Sequence, residues 1–405
     1  MSITLSTSSK QIRGQIHLSS SKSESNRALI INKLAGGQQN IRNLSNARDT
    51  RTMQTLLNSN PKIWDVLDAG TTMRFCTAYL ALCGDNHVIT GTDRMKQRPI
   101  GLLAEALQAL GADIDYMGKP GYPPLKVSQI RKQKNNLVEI PGNVSSQYIS
   151  ALLMIGPRLP KGLTIRFTSE IFSRPYIEMT LGIMHHFGAS YSWVQNEIEV
   201  APGEYRTSDF QVESDWSGAS YWYSIAALSK GCDIFLSGLR KQSLQGDFAI
   251  SEIMSKMGIE TIFEKDGVRL RRSGKIEKSI HWDFRECPDL AQTVMAAAAA
   301  LGTRLNMTGL ESLRIKETDR IEAMQNELAK LNANLFEEDK GNWVMIPGEI
   351  PETVAPVRTY DDHRMAMAFA PLALLGEMTI EDPDVVAKSY PDFWKDLTSV
   401  GFIIQ

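Results

Sequence analysis

Leu102-Leu103-Ala104-Glu105-Ala106-Leu107-Gln108-Ala109-Leu110-Gly111-Ala112-Asp113-Ile114 is the stretch that divides the chain. It reads as a helix ending in an apolar residue, then a glycine, then a strand; glycine just past a helix suits the left-handed closing position. The junction recurs. Residues 179–187 run into Gly188-Ala189-Ser190-Tyr191, and 250–257 into Gly258-Ile259-Glu260-Thr261. Residues 324–331 meet Asn332-Ala333-Asn334-Leu335, and 393–400 meet Gly401-Phe402-Ile403-Ile404. Successive junctions from Gly111 lie 77, 70, 74 and 69 residues apart. Solenoid repeats run at ~20–50 residues, so this period predicts a globular α/β unit copied along the chain. A sixth copy ends near Asn58, after Met53-Gln54-Thr55-Leu56-Leu57, and its step of 53 to Gly111 marks it as shortened. Six units predict two lobes of three. The crossings fall near a strand at 12–18 and near Val212-Glu213-Ser214, giving residues 1–20 with 214–405 in one lobe and 21–213 in the other. No Gly/Ser or Pro linker marks the boundary, so tight hinges are expected.

With 405 residues, 42% hydrophobic and 22% charged, the composition is that of an ordinary globular protein. The formal charge of −2 and the lack of a basic tract exclude the nucleic-acid-binding class. Residues 1–14 lack the apolar core of a secretory signal, and the longest apolar run, 294–301, is too short to cross a bilayer. Cys76, Cys83, Cys232 and Cys287 form no CxxC pair, and His363 has no nearby His or Cys. The expectation is a cytoplasmic protein, probing no membrane, with no metal and no cofactor.

Chemistry concentrates at helix starts. Ser21-Lys22-Ser23-Glu24-Ser25-Asn26-Arg27, before Ala28-Leu29-Ile30-Ile31, reads as a helix N-terminus capped by Ser23 or Ser25. Lys22 and Arg27 then stand within a turn of free N–H groups, a site for phosphate or carboxylate. In Asp68-Ala69-Gly70-Thr71-Thr72-Met73-Arg74 the glycine admits close approach of a ligand to the backbone. Neither GxxxxGK[ST] nor GxGxxG occurs, which removes support for nucleotide binding. Asp93-Arg94-Met95-Lys96-Gln97-Arg98-Pro99 packs three cations before a helix from Ile100, and Pro99 at its start would leave Arg98 at the mouth. Gly142-Asn143-Val144-Ser145-Ser146-Gln147-Tyr148 supplies neutral donors and acceptors, and Ser173-Arg174-Pro175-Tyr176 adds an aromatic ring. In Lys316-Glu317-Thr318-Asp319-Arg320 the two cations sit one turn apart on one helix face, a repulsion that an anion between them would relieve. Asp289, Asp361-Asp362-His363-Arg364 and Lys388 stand before further helices. Each stretch alone also reads as a solvated, capped helix start; the recurrence carries the weight. Converging between two lobes, these starts would focus positive potential on a small, multiply anionic ligand, with Asp289 and Glu317 placed for proton transfer.

SKSESNRA, DAGTTMRF, DRMKQRPIG, GNVSSQYISALL, SRPYIEMT, QGD, RIKETDRI, DDHRMAMA and AKSYPDF occur, from Lys22 to Phe393, in the order seen in the 5-enolpyruvylshikimate-3-phosphate synthases, which the chain therefore resembles. The resemblance implies an α/β (α+β) fold of two lobes, each of three βαβαββ units, with the cleft between them. It implies transfer of the enolpyruvyl group of phosphoenolpyruvate to the 5-hydroxyl of shikimate 3-phosphate, in a monomer. Lys22, Gly70, Arg98, Gln147, Arg320, Arg364 and Lys388 would then meet phosphoenolpyruvate. Lys22, Ser23, Arg27, Ser145, Ser146, Gln147, Ser173, Tyr176, Asp289, Ser312 and Lys316 would meet shikimate 3-phosphate. Asp289 would be the base and Glu317, with Lys22, the proton donor. Three positions depart from the family pattern. Asp68 and Ser312 stand where Asn is frequent, so Asp68 puts a negative charge beside an anionic substrate, and the unit between Leu57 and Asp68 lacks about a hairpin. The rival readings are a UDP-N-acetylglucosamine enolpyruvyl transferase, whose mobile-loop Cys is missing near residues 93–99, and a non-catalytic anion-binding descendant.

Overall fold

The computed structural model describes residues 1–37 and 40–405. Gly111, Gly188, Gly258, Asn332 and Gly401 all take positive φ, between 57° and 113°, and so turn each helix into the strand that follows. The shortened copy closes at Asn60 (φ 43°) instead of Asn58, because its helix runs on to Ser59.

The chain forms two compact units. One, here the inserted unit, is Lys22–Val212; the terminal unit joins Met1–Ser21 to Glu213–Gln405. Among the described residues each holds three small sheets. The inserted unit carries helices α1 (Lys22–Leu34), α2 (Arg48–Ser59), α3 (Gly70–Cys83), α4 (Gly101–Leu110), α5 (Ser146–Ile155) and α6 (Arg174–His186). The terminal unit carries α7 (Trp216–Leu228), α8 (Ile250–Ser255), α9 (Ala291–Leu301), α10 (Arg320–Ala329), α11 (His363–Phe369) and α12 (Phe393–Ser399).

One copy shows the plan. Leu137–Ile140 pairs parallel with Leu163–Phe167 across α5, and α6 then leads into the antiparallel hairpin Tyr191–Val194 and Glu197–Val200. A parallel pair needs a crossover helix, and that helix starts at the C-terminal edge of the strand, where α/β folds place ligands. In the shortened copy no hairpin follows α2: the chain passes from Asn60 and Pro61 into Ile63–Asp65. Its sheet is the two-stranded pair of Ile41–Arg42 with Phe210–Gln211.

The first helix of each copy is the buried one. α1, α3 and α5 pack on one another inside the inserted unit, and α7, α9 and α11 do so inside the terminal unit. Helices buried all round need apolar or small residues on every face. α9, with its run Ala296-Ala297-Ala298-Ala299, and α11, with Met365-Ala366-Met367-Ala368-Phe369, meet that need. The polar starts of these helices are left to carry the chemistry. No helix among the described residues is long and apolar enough to cross a membrane.

Candidate active site

In the inserted unit α1 begins at Lys22, so Ser23 and Ser25 lie in its first turn and neither is the cap. Ser25 Oγ is committed elsewhere, accepting the Ser45 N–H at 3.0 Å. Lys22 Nζ is held at the helix start by Asp49 Oδ2 at 3.1 Å, a buried carboxylate on α2. Arg27, read as a second cation at the helix mouth, is a buried brace. Its Nε donates to Thr180 Oγ1 (2.7 Å), Nη1 to the Ser23 carbonyl (2.9 Å), and Nη2 to Ser150 Oγ (3.1 Å) and the Tyr176 carbonyl (3.2 Å). The guanidinium carbon also lies 5.3 Å from the centre of the Phe75 ring. Burial lowers its pKa to about 10, which leaves it charged at neutrality.

α3 opens at Gly70, and the reason for a glycine is visible. A Cβ there would stand 2.7 Å from both Nη1 and Nη2 of Arg98, so the guanidinium lies flat on the glycine backbone. Arg98 does not sit at a helix mouth. It follows the turn Met95–Gln97 in extended conformation, and α4 starts only at Gly101, two residues beyond Pro99. Asp68 does not present an unmatched charge, because Arg48 Nη2 meets both its oxygens at 3.1 and 3.0 Å. At the start of α5, Gln147 Nε2 donates to Thr71 Oγ1 at 3.1 Å. The hydroxyls of Ser145 before α5 and Ser173 (φ 54°) before α6 close no cap. Ser146 is buried in the first turn, and Tyr176 is half-buried.

The terminal unit assembles a denser site. Lys316 and Arg320 do not share a helix face: α10 begins at Arg320, capped by Asp319, whose Oδ1 accepts the N–H groups of Ile321 (3.0 Å) and Glu322 (3.1 Å). Both cations reach the same carboxylate instead. Asp289 Oδ1 meets Arg320 Nη1 at 3.1 Å and Lys316 Nζ at 3.7 Å, while its Oδ2 meets Arg364 Nη2 at 2.7 Å. Glu317 Oε2 takes Arg320 Nη2 at 2.9 Å, and its Oε1 lies 3.5 Å from Lys388 Nζ. Asp362 completes the web. Arg320 Nε reaches its Oδ2 at 2.6 Å, and its Oδ1 caps α11 by accepting the Arg364 N–H at 2.9 Å. Ser312, in the turn Glu311–Ile315, is half-buried.

Burial opposes ionisation of Asp289, but the charges of Arg364, Lys316 and Arg320 outweigh it and hold its carboxyl well below the usual carboxylate range. Asp247 goes the other way. Burial, and then the nearby Asp289 charge, push it up to about 7. It accepts a short hydrogen bond from Ser217 Oγ, which Arg364 Nη2 also approaches at 3.4 Å. Near neutrality Asp247 is only about half ionised, so four cations (Lys316, Arg320, Arg364, Lys388) face three full carboxylate charges (Asp289, Glu317, Asp362) and part of a fourth. The two ammonium pairs, at 3.7 and 3.5 Å, are the loosest of these contacts and the easiest to redirect onto an anion.

The raised pKa of Asp247 makes a stability prediction. The folded chain keeps that proton above pH 3.8, where the unfolded one has begun to lose it, so the wild type loses stability as pH rises toward about 7. Asp247→Asn removes the linkage. It is expected to melt a few degrees above wild type at pH 8 and to lose that advantage by pH 4, as thermal unfolding across pH will show.

Asp49, Thr71, Ser217, Asp247 and Asp362 belong to these clusters but escaped the sequence reading as site residues. Asp362 had a signal, an acidic cap directly before a His-Arg helix start. Asp49 had none, because only packing of α2 on α1 brings it to Lys22.

A family profile described as EPSP synthase (3-phosphoshikimate 1-carboxyvinyltransferase) matches residues 6–59 and 55–397. A 3-phosphoshikimate 1-carboxyvinyltransferase of Bacteroides fragilis is 48% identical over 398 residues, covering 98% of this chain and 97% of the relative. One from Aliivibrio fischeri is 37% identical and covers 99% of both chains. In fold, the chain matches a solved EPSP synthase of Acinetobacter baumannii with a TM-score of 0.80 at 21% identity, over 100% of this chain and 99% of that one.

Proposed function

The chain belongs to the EPSP synthase family, and from that premise we infer how its residues divide the work. The reaction moves the enolpyruvyl group of phosphoenolpyruvate to the 5-hydroxyl of shikimate 3-phosphate and releases phosphate, a step of the shikimate route to aromatic amino acids. The observation that carries our assignment of roles is the Asp289–Arg320–Glu317 unit. One buried guanidinium bonds two carboxylates, at 3.1 and 2.9 Å, with Lys316, Arg364 and Lys388 around them.

In this assignment Asp289 takes the proton of the 5-hydroxyl as its oxygen bonds to C2 of phosphoenolpyruvate. The C2–C3 π pair takes a proton at C3 from Glu317, assisted by Lys22, giving a tetrahedral intermediate that still bears phosphate. The C2–O bond to phosphate then breaks, the C3 methyl group returns one proton to carboxylate, and the double bond reforms. Lys22, Gly70, Arg98, Gln147, Arg320, Arg364 and Lys388 hold phosphoenolpyruvate. Ser23, Arg27, Ser145, Ser146, Gln147, Ser173, Tyr176, Ser312 and Lys316 hold shikimate 3-phosphate with Lys22 and Asp289. Fixed cations around a developing negative charge lower the barrier electrostatically. A base held so far down in pKa by cations is a weak base. Arrival of the phosphoenolpyruvate anion offsets those cations and raises Asp289 toward the working range. The assignment includes no metal or cofactor, a monomer and a cytoplasmic location; sedimentation and cell fractionation test the last two.

Purified protein with both substrates should release phosphate stoichiometrically with product, and replacing shikimate 3-phosphate by UDP-N-acetylglucosamine should abolish release. No phosphate from the first pair overturns the reading; release with the second favours the rival transferase. The packing of Arg98 on Gly70 gives a further expectation. Gly70→Ala pushes a methyl group into the guanidinium, and such overpacking should raise the KM for phosphoenolpyruvate about tenfold while leaving that for shikimate 3-phosphate close to wild type. Steady-state kinetics with each substrate varied in turn will show it.

A further inference from the structure

Arg98 has no helix to hold it. Its φ of −91° and ψ of 126° are extended, and its own N–H is fixed by the preceding turn, donating to the Met95 carbonyl at 3.0 Å. The chain on its other side is fixed through Pro99. The Pro99 carbonyl accepts two hydrogen bonds, from Tyr148 Oη at 2.5 Å and from Arg74 Nη2 at 2.9 Å. Arg74 Nη1 donates in turn to the Gly70 carbonyl at 3.1 Å, and the Arg74 guanidinium stands 5.9 Å from the centre of the Tyr148 ring. Arg74, Pro99 and Tyr148 thus contact one another, and Arg74 ties the three to Gly70, on which the Arg98 guanidinium rests. Tyr148 also follows Ser146 and Gln147 in the first turn of α5.

We propose that Tyr148 is a positioning residue: its hydroxyl ties the start of α5 to the Pro99 peptide and so sets where the Arg98 guanidinium presents itself to the phosphoenolpyruvate anion. This rests on the function proposed above. A buried tyrosine needs a partner for its hydroxyl in any case, so the test must separate placement of Arg98 from simple satisfaction of that group.

Tyr148→Phe keeps the ring and its contact with Arg74 and deletes only the O–H. One hydrogen bond's worth of misplacement should raise the KM for phosphoenolpyruvate about three- to tenfold, with kcat and the KM for shikimate 3-phosphate within about twofold of wild type. In an Arg98→Ala background the same substitution should change the phosphoenolpyruvate KM no further, because there is no guanidinium left to place. An unchanged phosphoenolpyruvate KM in an active enzyme overturns the proposal, as does an equal rise in both backgrounds, or an equal loss toward both substrates with a lowered melting temperature. Failure of the unsubstituted protein to release phosphate sinks the proposed function itself, which these other outcomes leave standing.

Discussion

Asp289→Asn is expected to lower kcat about a thousandfold, within the range by which a positioned base accelerates proton transfer. Asparagine keeps the shape and an acceptor oxygen but takes no proton from the 5-hydroxyl. It also leaves Arg320, Arg364 and Lys316 with one negative charge fewer among them. A loss of stability must therefore be measured alongside, and kcat referred to folded protein. The pH dependence separates the two effects. The folded pKa of Asp289 is depressed, so its contribution to stability is present above the unfolded value of 3.8 and is lost only as pH falls through the lower folded value. Between pH 5 and 9 Asp289 itself does not titrate, but its charge helps to raise Asp247, so the variant should lose less stability than wild type as pH rises toward about 7 and run parallel to it above pH 8. An acid limb in wild-type kcat, produced when phosphoenolpyruvate lifts the pKa of Asp289, should be missing from the variant's residual activity. A variant within about tenfold of wild-type kcat would remove Asp289 from the role of base.

The fold was more legible than the site, and the residues say why. A left-handed closing position is a local requirement, met by glycine or asparagine whatever the rest of the chain does. Gly111, Gly188, Gly258, Asn332 and Gly401 therefore exposed the period directly, and only the shortened copy was misplaced, by two residues. The site residues were found as types at helix starts, but their roles depend on long-range partners. Arg27 looks like Lys22 in sequence; one is a buried brace on Thr180, Ser150 and Tyr176 far along the chain, while the other is half-buried at the helix start on Asp49. The four-residue spacing of Lys316 and Arg320 predicts a shared helix face. Asp319 is a stronger cap than anything upstream, so the helix starts at Arg320 and the face never forms. Asp247 lies in a motif the sequence does display, QGD, yet its raised pKa comes from burial and from Asp289, which no local pattern encodes.

Arg320→Met should cost about 3–5 kcal/mol of stability, the usual consequence of removing one partner from a buried ionic group. Arg320 is 2% exposed, and its Nε, Nη1 and Nη2 are spent on Asp362, Asp289 and Glu317, carboxylates supplied by three separate segments of the terminal unit. Methionine fills much of the volume, so packing is not the main loss; the loss is the charge that lets three carboxylates lie together. Asp362 also caps α11, so movement of that carboxylate loosens the helix start that carries Arg364. The variant's dependence on pH should be steeper than that of the wild type, which over this range gains stability with falling pH through Asp247 alone. Without the guanidinium the clustered carboxylates bind protons more tightly when folded than when unfolded, so the variant should gain stability as pH falls from 8 toward 5. Wild type, with Asp289 held ionised, should gain none from that group over the same interval. Urea unfolding at the two pH values measures both slopes. Arg320→Lys restores one charge but cannot span three carboxylates from a single ammonium, so it should recover only part of the stability and little of the turnover. Equal stability of Arg320→Met and wild type at pH 8 would mean that the web is held by Lys316, Arg364 and Lys388 alone, and that Arg320 is not its centre.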